Sequence, residues 1–155
     1  MEFFSKMGAA PTPMAFGEVY NALQMGVVDG QENPINIPVT AKFYEVQKYA
    51  SITNHMADGW VLAINPAKFN ALTDKDKQAL QAAAVEAEAW KANNDAADAK
   101  QSVDLLTSKG VAVNTLTADQ QKAFVAVAKE LFPRFSQLVK DQNFFNKTLT
   151  FVNKK

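Results

Sequence analysis

Apolar residues recur along this chain in short groups whose spacing changes from one segment to the next. Residues 1–7 pattern as a brief helix stopped by Gly8, a residue suited to the left-handed position after a helix. The stretch 9–15 holds Pro11 and Pro13, which lack ladder donors, so it reads as extended, at an edge or in a loop. Over 17–25, Val19, Tyr20 and Leu23 repeat at helical spacing, Glu18 suits the first turn, and Gly26 closes the element. Residues 27–30 read as a short buried strand running into an Asp29-Gly30 turn. Residues 31–34 read as a loop, because Pro34 pushes Asn33 out of the α region. An amphipathic helix is expected over 41–48 around Phe43 and Tyr44, and an extended segment over 51–55. The run 60–65 is nearly all apolar, as in a strand covered on both faces, and Pro66 ends it.

The clearest element begins at Thr73, a strong N-cap, with Asp74 and Asp76 in the first turn. Ten of residues 79–99 are alanine, the best helix former, and the pattern runs on to Lys109 before Gly110. At ~1.5 Å per residue, such a helix outruns one layer of a small domain. Its inward row, Leu80, Ala83, Ala87 and Trp90, is mostly small, so close packing against a neighbour is expected there. Residues 111–116 read as a strand. Thr117 and Gln120 form a capping box for a helix with Phe124, Val127, Leu131, Phe135 and Leu138 on one face. Pro133 removes a hydrogen bond in that helix, predicting a kink or break near Phe132. Short strands alternating with helices, then helices alone, indicate an α/β chain.

Composition narrows the function by exclusion. The 155 residues carry 16 Lys+Arg and 16 Asp+Glu, so no net charge steers the chain to nucleic acid or an acidic membrane. No run approaches the ~18 apolar residues of a membrane span. Residues 1–6 show no basic segment leading into an apolar one, so no secretory signal is read there. With no Cys and one His, thiolate sites and a His-rich zinc site are excluded. Neither a phosphate-binding glycine loop nor a nucleophile elbow is present, which argues against an enzyme and calls for no cofactor. What remains is a polar cluster in and beside loops: Phe16, Glu18, Gln31, Glu32, Asn33 and His55. Taken singly, Phe16 could staple a helix onto Tyr20, Asn33 could be a loop residue before proline, and His55 a satisfied, half-buried ring.

Three ordered blocks carry a resemblance. The run Gly8-Ala9-Ala10-Pro11-Thr12-Pro13-Met14-Ala15-Phe16-Gly17-Glu18-Val19-Tyr20-Asn21-Ala22-Leu23-Gln24 continues, past Met25, into Gly26-Val27-Val28-Asp29-Gly30-Gln31-Glu32-Asn33-Pro34. Lys42-Phe43-Tyr44-Glu45-Val46-Gln47-Lys48-Tyr49 and Thr53-Asn54-His55 complete it. Together they resemble DctP-type solute-binding proteins, the extracytoplasmic receptors of TRAP transporters. The resemblance implies a two-lobed, periplasmic-binding-protein-like α/β fold that closes on an organic acid, commonly a carboxylate, and delivers it to membrane subunits. It implies a periplasmic location and no catalysis.

Carried over by position, Phe16 resembles the aromatic packed against the ligand and Asn33 the amide that contacts its carboxylate. Glu32 and His55 resemble members of the polar network behind them, and Trp60 could reach the same cleft, although a core role suits it better. The implied division places a lobe with ligand-contact loops in 1–57, a crossover strand region in 58–72, a bridging helix in 73–109, and a C-terminal strand and helices in 110–155. The resemblance covers about the C-terminal half of the family's length. The other half would hold the signal peptide, most of the first lobe and an arginine that clamps the carboxylate. Arg134, the one arginine here, lies outside the matching blocks and is not given that role. The chain is therefore expected to be a fragment impaired in binding, or else a non-binding chain that self-associates through an exposed lobe interface.

Overall fold

A computed structural model describes residues 1–56, 59 and 61–152. Two compact units emerge, one made of Met1–Ala15 with Thr115–Lys155 and one of Phe16–Asn114.

The first unit holds α1 (Glu2–Lys6), α6 (Ala118–Leu138) and α7 (Gln142–Val152). The capping box is present as the letters predict: Thr117 Oγ1 accepts from the Gln120 N–H, and Gln120 Oε1 accepts from the Thr117 N–H. Such a cap is worth about 1 kcal/mol. From α6, Phe124 meets Phe3 of α1, with ring centroids 6.0 Å apart, and Leu131 is buried. Lys6 with Glu130 and Arg134 with Glu2 tie the same two helices, though exposed pairs of this kind contribute little. Of the kink or break expected near Phe132, the break does not occur, since α6 continues to Leu138. Only one intrahelical bond is lost, and Lys129, whose carbonyl loses its donor, is exposed to water.

The second unit holds α2 (Phe16–Gln24), α3 (Asn36–Thr40), a 3₁₀ turn (Phe43–Glu45), β1 (Tyr49–Ile52), α4 (Pro66–Asn70), α5 (Asp74–Ser108) and β2 (Ala112–Thr115). β1 and β2 pair as a two-stranded sheet, and Ser51 Oγ donates to Asn114 Oδ1 across it at 2.6 Å. The core is Val19 and Leu23 of α2, Phe43 of the 3₁₀ turn, Leu106 of α5, and Val111, with α3 packed on α5. Ser102 is also buried, and its hydroxyl donates to the Asp98 carbonyl at 2.8 Å.

Two helices of this unit end the same way. Gly26 and Gly110 take φ of 68° and 84°, conformations that cost other L-residues strain. The N–H groups of Val27 and Val111 then reach back to the carbonyls of Ala22 and Leu106, closing Schellman motifs. At the second, Leu106 and Val111 pack into the core together. The first explains why 27–30 is not the strand its apolar letters suggest. The Val27 and Val28 amides turn back to Ala22, and Val27 is exposed.

The helix expected over 41–48 is replaced by the 3₁₀ turn Phe43–Glu45, and the α-helical turn lies before it, in α3. α3 uses Pro38 in its first turn, where a missing N–H costs nothing. Lys42 then takes φ of 56°, which a continuing helix cannot pass through, and only the 3₁₀ turn follows. The run 61–65 forms no strand either, because no ladder partner meets it among the described residues. Val61 and Leu62 are 87% and 78% exposed, and Asn65 instead caps α4 by accepting from the Ala67 N–H. Trp60 lies outside the described residues.

α5 runs for 35 residues, about 50 Å, and Thr73 caps it by accepting from the Asp76 N–H. Its row of Leu80, Ala83, Ala87 and Trp90 is exposed rather than closely packed, with Trp90 61% open. Burial on this helix sits at the other end, at Ser102 and Leu106.

Candidate functional site

Phe16 opens α2, and its ring meets Phe43, 6.1 Å between centroids and tilted by 49°. One turn on, Tyr20 donates from its hydroxyl to Glu45 Oε2 at 2.7 Å. That bond, more than any other influence, holds the Tyr20 phenol above its ordinary range. The two contacts are successive rungs between α2 and the 3₁₀ turn. Phe43 is 1% exposed and anchors the pair from the core, while Phe16 is 56% exposed and offers its ring to solvent. The geometry thus provides a fixed aromatic surface rather than a core packing contact.

The loop after α2 supplies the polar groups. Asn33 is half-buried, and its Nδ2 donates to Gln31 Oε1 at 2.6 Å. Glu32, between them, is open and directs Oε2 to within 3.9 Å of His55 Nε2. That distance exceeds a hydrogen bond, so the pair is an ion pair only when the ring is protonated. On its other side, His55 Nδ1 lies 2.7 Å from Thr53 Oγ1. Asn54 between them has φ of 45°, and asparagine is among the side chains that best tolerate that region.

The structure therefore brings Glu32 and His55 together, pairs Asn33 with Gln31, and sets Phe16 on Phe43. Letters alone did not single out Phe43, Thr53 or Gln31 as partners. Phe43 and Thr53 lie inside the resembling blocks, but their roles depend on contacts across 27 residues in one case and a backbone turn in the other. Chemically, the set offers an aromatic wall, an amide donor and a carboxylate–imidazole pair. It holds no activated nucleophile. Among the described residues, no group of three His, Cys, Asp or Glu side chains could hold a metal ion. No helix among them is long and apolar enough to cross a membrane. A surface hollow lined by Asn143, Asn146, Lys147 and Thr150 belongs to one face of α7 in the other unit. Arg134, in that other unit, is occupied with Glu2.

Residues 1–138 match the family described as DctP, bacterial extracellular solute-binding protein, family 7. The chain is 40% identical over 121 residues to the 2,3-diketo-L-gulonate-binding periplasmic protein YiaO of Escherichia coli, covering 78% of this chain and 36% of that protein. It superposes with a TM-score of 0.87 on a TRAP periplasmic solute binding protein from Ralstonia eutropha with bound (S)-2-acetolactate. There the identity is 26%, over 99% of this chain and 50% of that one. A Polaromonas protein of the same kind, bound to D-erythronate, gives a TM-score of 0.79 at 32% identity, over 94% of this chain and 46% of that one. The chain thus spans about half the length of these solved structures.

Proposed function

Because the chain belongs to the DctP family of bacterial extracellular solute-binding proteins, we propose that it supplies one wall of a periplasmic receptor cleft for an organic acid. In this reading Phe16 packs on the ligand, Asn33 donates to its carboxylate, and Glu32 with His55 tunes the polar side. The second wall belongs to the length that the matched structures have beyond this match, and α5 bridges the two. The loaded receptor then passes its ligand to the membrane subunits of a TRAP-type transporter, without catalysis. The supporting observation is the placement of an exposed, core-anchored phenyl ring and the Gln31–Asn33, Glu32–His55 pairs on one unit. The ligands named for the three relatives are all carboxylates, and they differ in what surrounds the carboxylate.

Magnitudes set the expected result for the chain alone. A hydrogen bond to a charged group contributes about 1.5–3 kcal/mol, whereas micromolar affinity requires about −8.2 and millimolar about −4.1 kcal/mol. One amide donor and one ring reach only the millimolar regime. Titration of the 155-residue chain with D-erythronate, (S)-2-acetolactate and 2,3-diketo-L-gulonate is expected to give dissociation constants near or above about 1 mM. Micromolar binding by the chain alone would overturn the one-wall reading, and no response to any carboxylate at tens of millimolar would overturn the site.

A second reading, self-association without binding, has its own support. Apolar side chains stand open on the Phe16–Asn114 unit: Val61, Leu62 and Ile64 in the extended run, and Leu80, Val85 and Trp90 on α5. Sedimentation over a wide concentration range is expected to show association that Val61→Lys with Leu62→Lys weakens, since a charge on each side chain opposes burial. A monomer at all concentrations would remove this reading.

A further inference from the structure

We propose that Gln31 is a positioning residue for Asn33, setting which face of the Asn33 amide meets a ligand; the inference rests on the solute-binding reading above. An asparagine amide is nearly symmetric in shape and opposite in chemistry on its two ends, with two donors on Nδ2 and an acceptor at Oδ1. Left free, it turns by half a revolution at little cost and presents either a donor or an acceptor. Here Nδ2 spends one N–H on Gln31 Oε1 at 2.6 Å. With Gln31 presenting Oε1, a turned Asn33 would put Oδ1 against it at that same separation, two acceptor oxygens with no proton between them, unless Gln31 turned its own amide as well. While Gln31 presents Oε1, the donor end of Asn33 stays in place and its second N–H is left for the ligand, which is the polarity a carboxylate requires. Pro34 adds to this by restricting the Asn33 backbone to the extended region, so both the main chain and the amide plane are held before a ligand arrives. Selectivity for an anion over its neutral amide thus depends on a residue that itself need not touch the ligand.

Gln31→Met keeps the side-chain length and removes the acceptor, whereas Gln31→Glu keeps an acceptor and removes the ability to donate. The first readout needs no ligand: the two Asn33 side-chain amide protons by nuclear magnetic resonance. In the parent chain the bonded proton is expected well downfield of its partner. The separation collapses in Gln31→Met and persists in Gln31→Glu. A separation unchanged in Gln31→Met, or lost in Gln31→Glu with the fold intact, overturns the proposal; the second result would mean that Gln31 donates to Asn33.

The second readout is titration with D-erythronate and with D-erythronamide. Gln31→Met is expected to weaken the carboxylate by about tenfold while leaving the carboxamide nearly unchanged. Equal losses for both would mark Gln31 as merely structural and overturn the inference. If the parent chain binds neither compound, the cleft reading fails on its own, and the amide spectrum still decides whether Gln31 holds Asn33.

Discussion

Phe43→Ala is expected to lower the unfolding free energy of the Phe16–Asn114 unit by about 3–5 kcal/mol, the range for truncating a buried aromatic. Phe43 is 1% exposed, and the other most deeply buried side chain of this unit is Leu106. Around it stand α3, which packs on α5, and Phe16, which rests on its ring. Truncation removes the filling from a small core and leaves the Phe16 ring without its support. Because whole domains hold only about 5–15 kcal/mol, a loss of this size takes a large share of the total. Urea unfolding followed by far-ultraviolet circular dichroism measures it directly. Phe43→Leu, which keeps most of the volume, is expected to cost much less and to keep the fold. An unfolding free energy for Phe43→Ala within about 0.5 kcal/mol of the parent, the range of an ordinary surface change, would show that the core is centred elsewhere.

Asn33→Asp is expected to have the largest effect on binding. It replaces the only neutral amide assigned to the ligand carboxylate with a second carboxylate. Loss of the hydrogen bond alone weakens binding by roughly 10- to 150-fold, from the 1.5–3 kcal/mol such bonds carry. Like charges then add to that loss, so a millimolar interaction falls out of measurable range. Asn33→Ala, which removes the donor without adding charge, is expected to fall between the parent and Asn33→Asp. That ordering separates the electrostatic part from the hydrogen bond. Equal carboxylate affinity in all three chains, followed by chemical-shift titration, would remove Asn33 from the site.

How much of this site is legible in the letters depends on the residue. Phe16, Glu32, Asn33 and His55 are marked by their place in and beside loops, and they take on roles only through the blocks that resemble a family; hydrophobic periodicity does not mark them. The structure adds what no spacing rule supplies, namely that Glu32 faces His55 across 23 positions and that Phe16 uses Phe43 as its floor. Gln31 was visible as part of a polar run, but its hold on Asn33 depends on side-chain directions in a loop without regular backbone geometry.

The same division runs through the fold. Features closed by hydrogen bonds within five or six residues follow from the sequence by itself: the Thr73 cap, the Thr117–Gln120 capping box, the glycine stops at 26 and 110, and the length of the alanine-rich α5. Their partners lie along the same short stretch, so the chain needs nothing distant to form them. The apolar run at 61–65 and the small-residue row of α5 carry the letters of buried structure, and their fate was set at a distance. A strand exists only where another strand accepts its ladder bonds, and a helix row is buried only where a neighbour covers it. In this chain Val61, Leu62 and Trp90 face water, whereas the apolar run at 27–30 is taken up locally, by the cap that ends α2. Local hydrogen bonding thus determined where the helices begin and end, and tertiary contact decided which apolar faces are buried and how the candidate-site residues are paired.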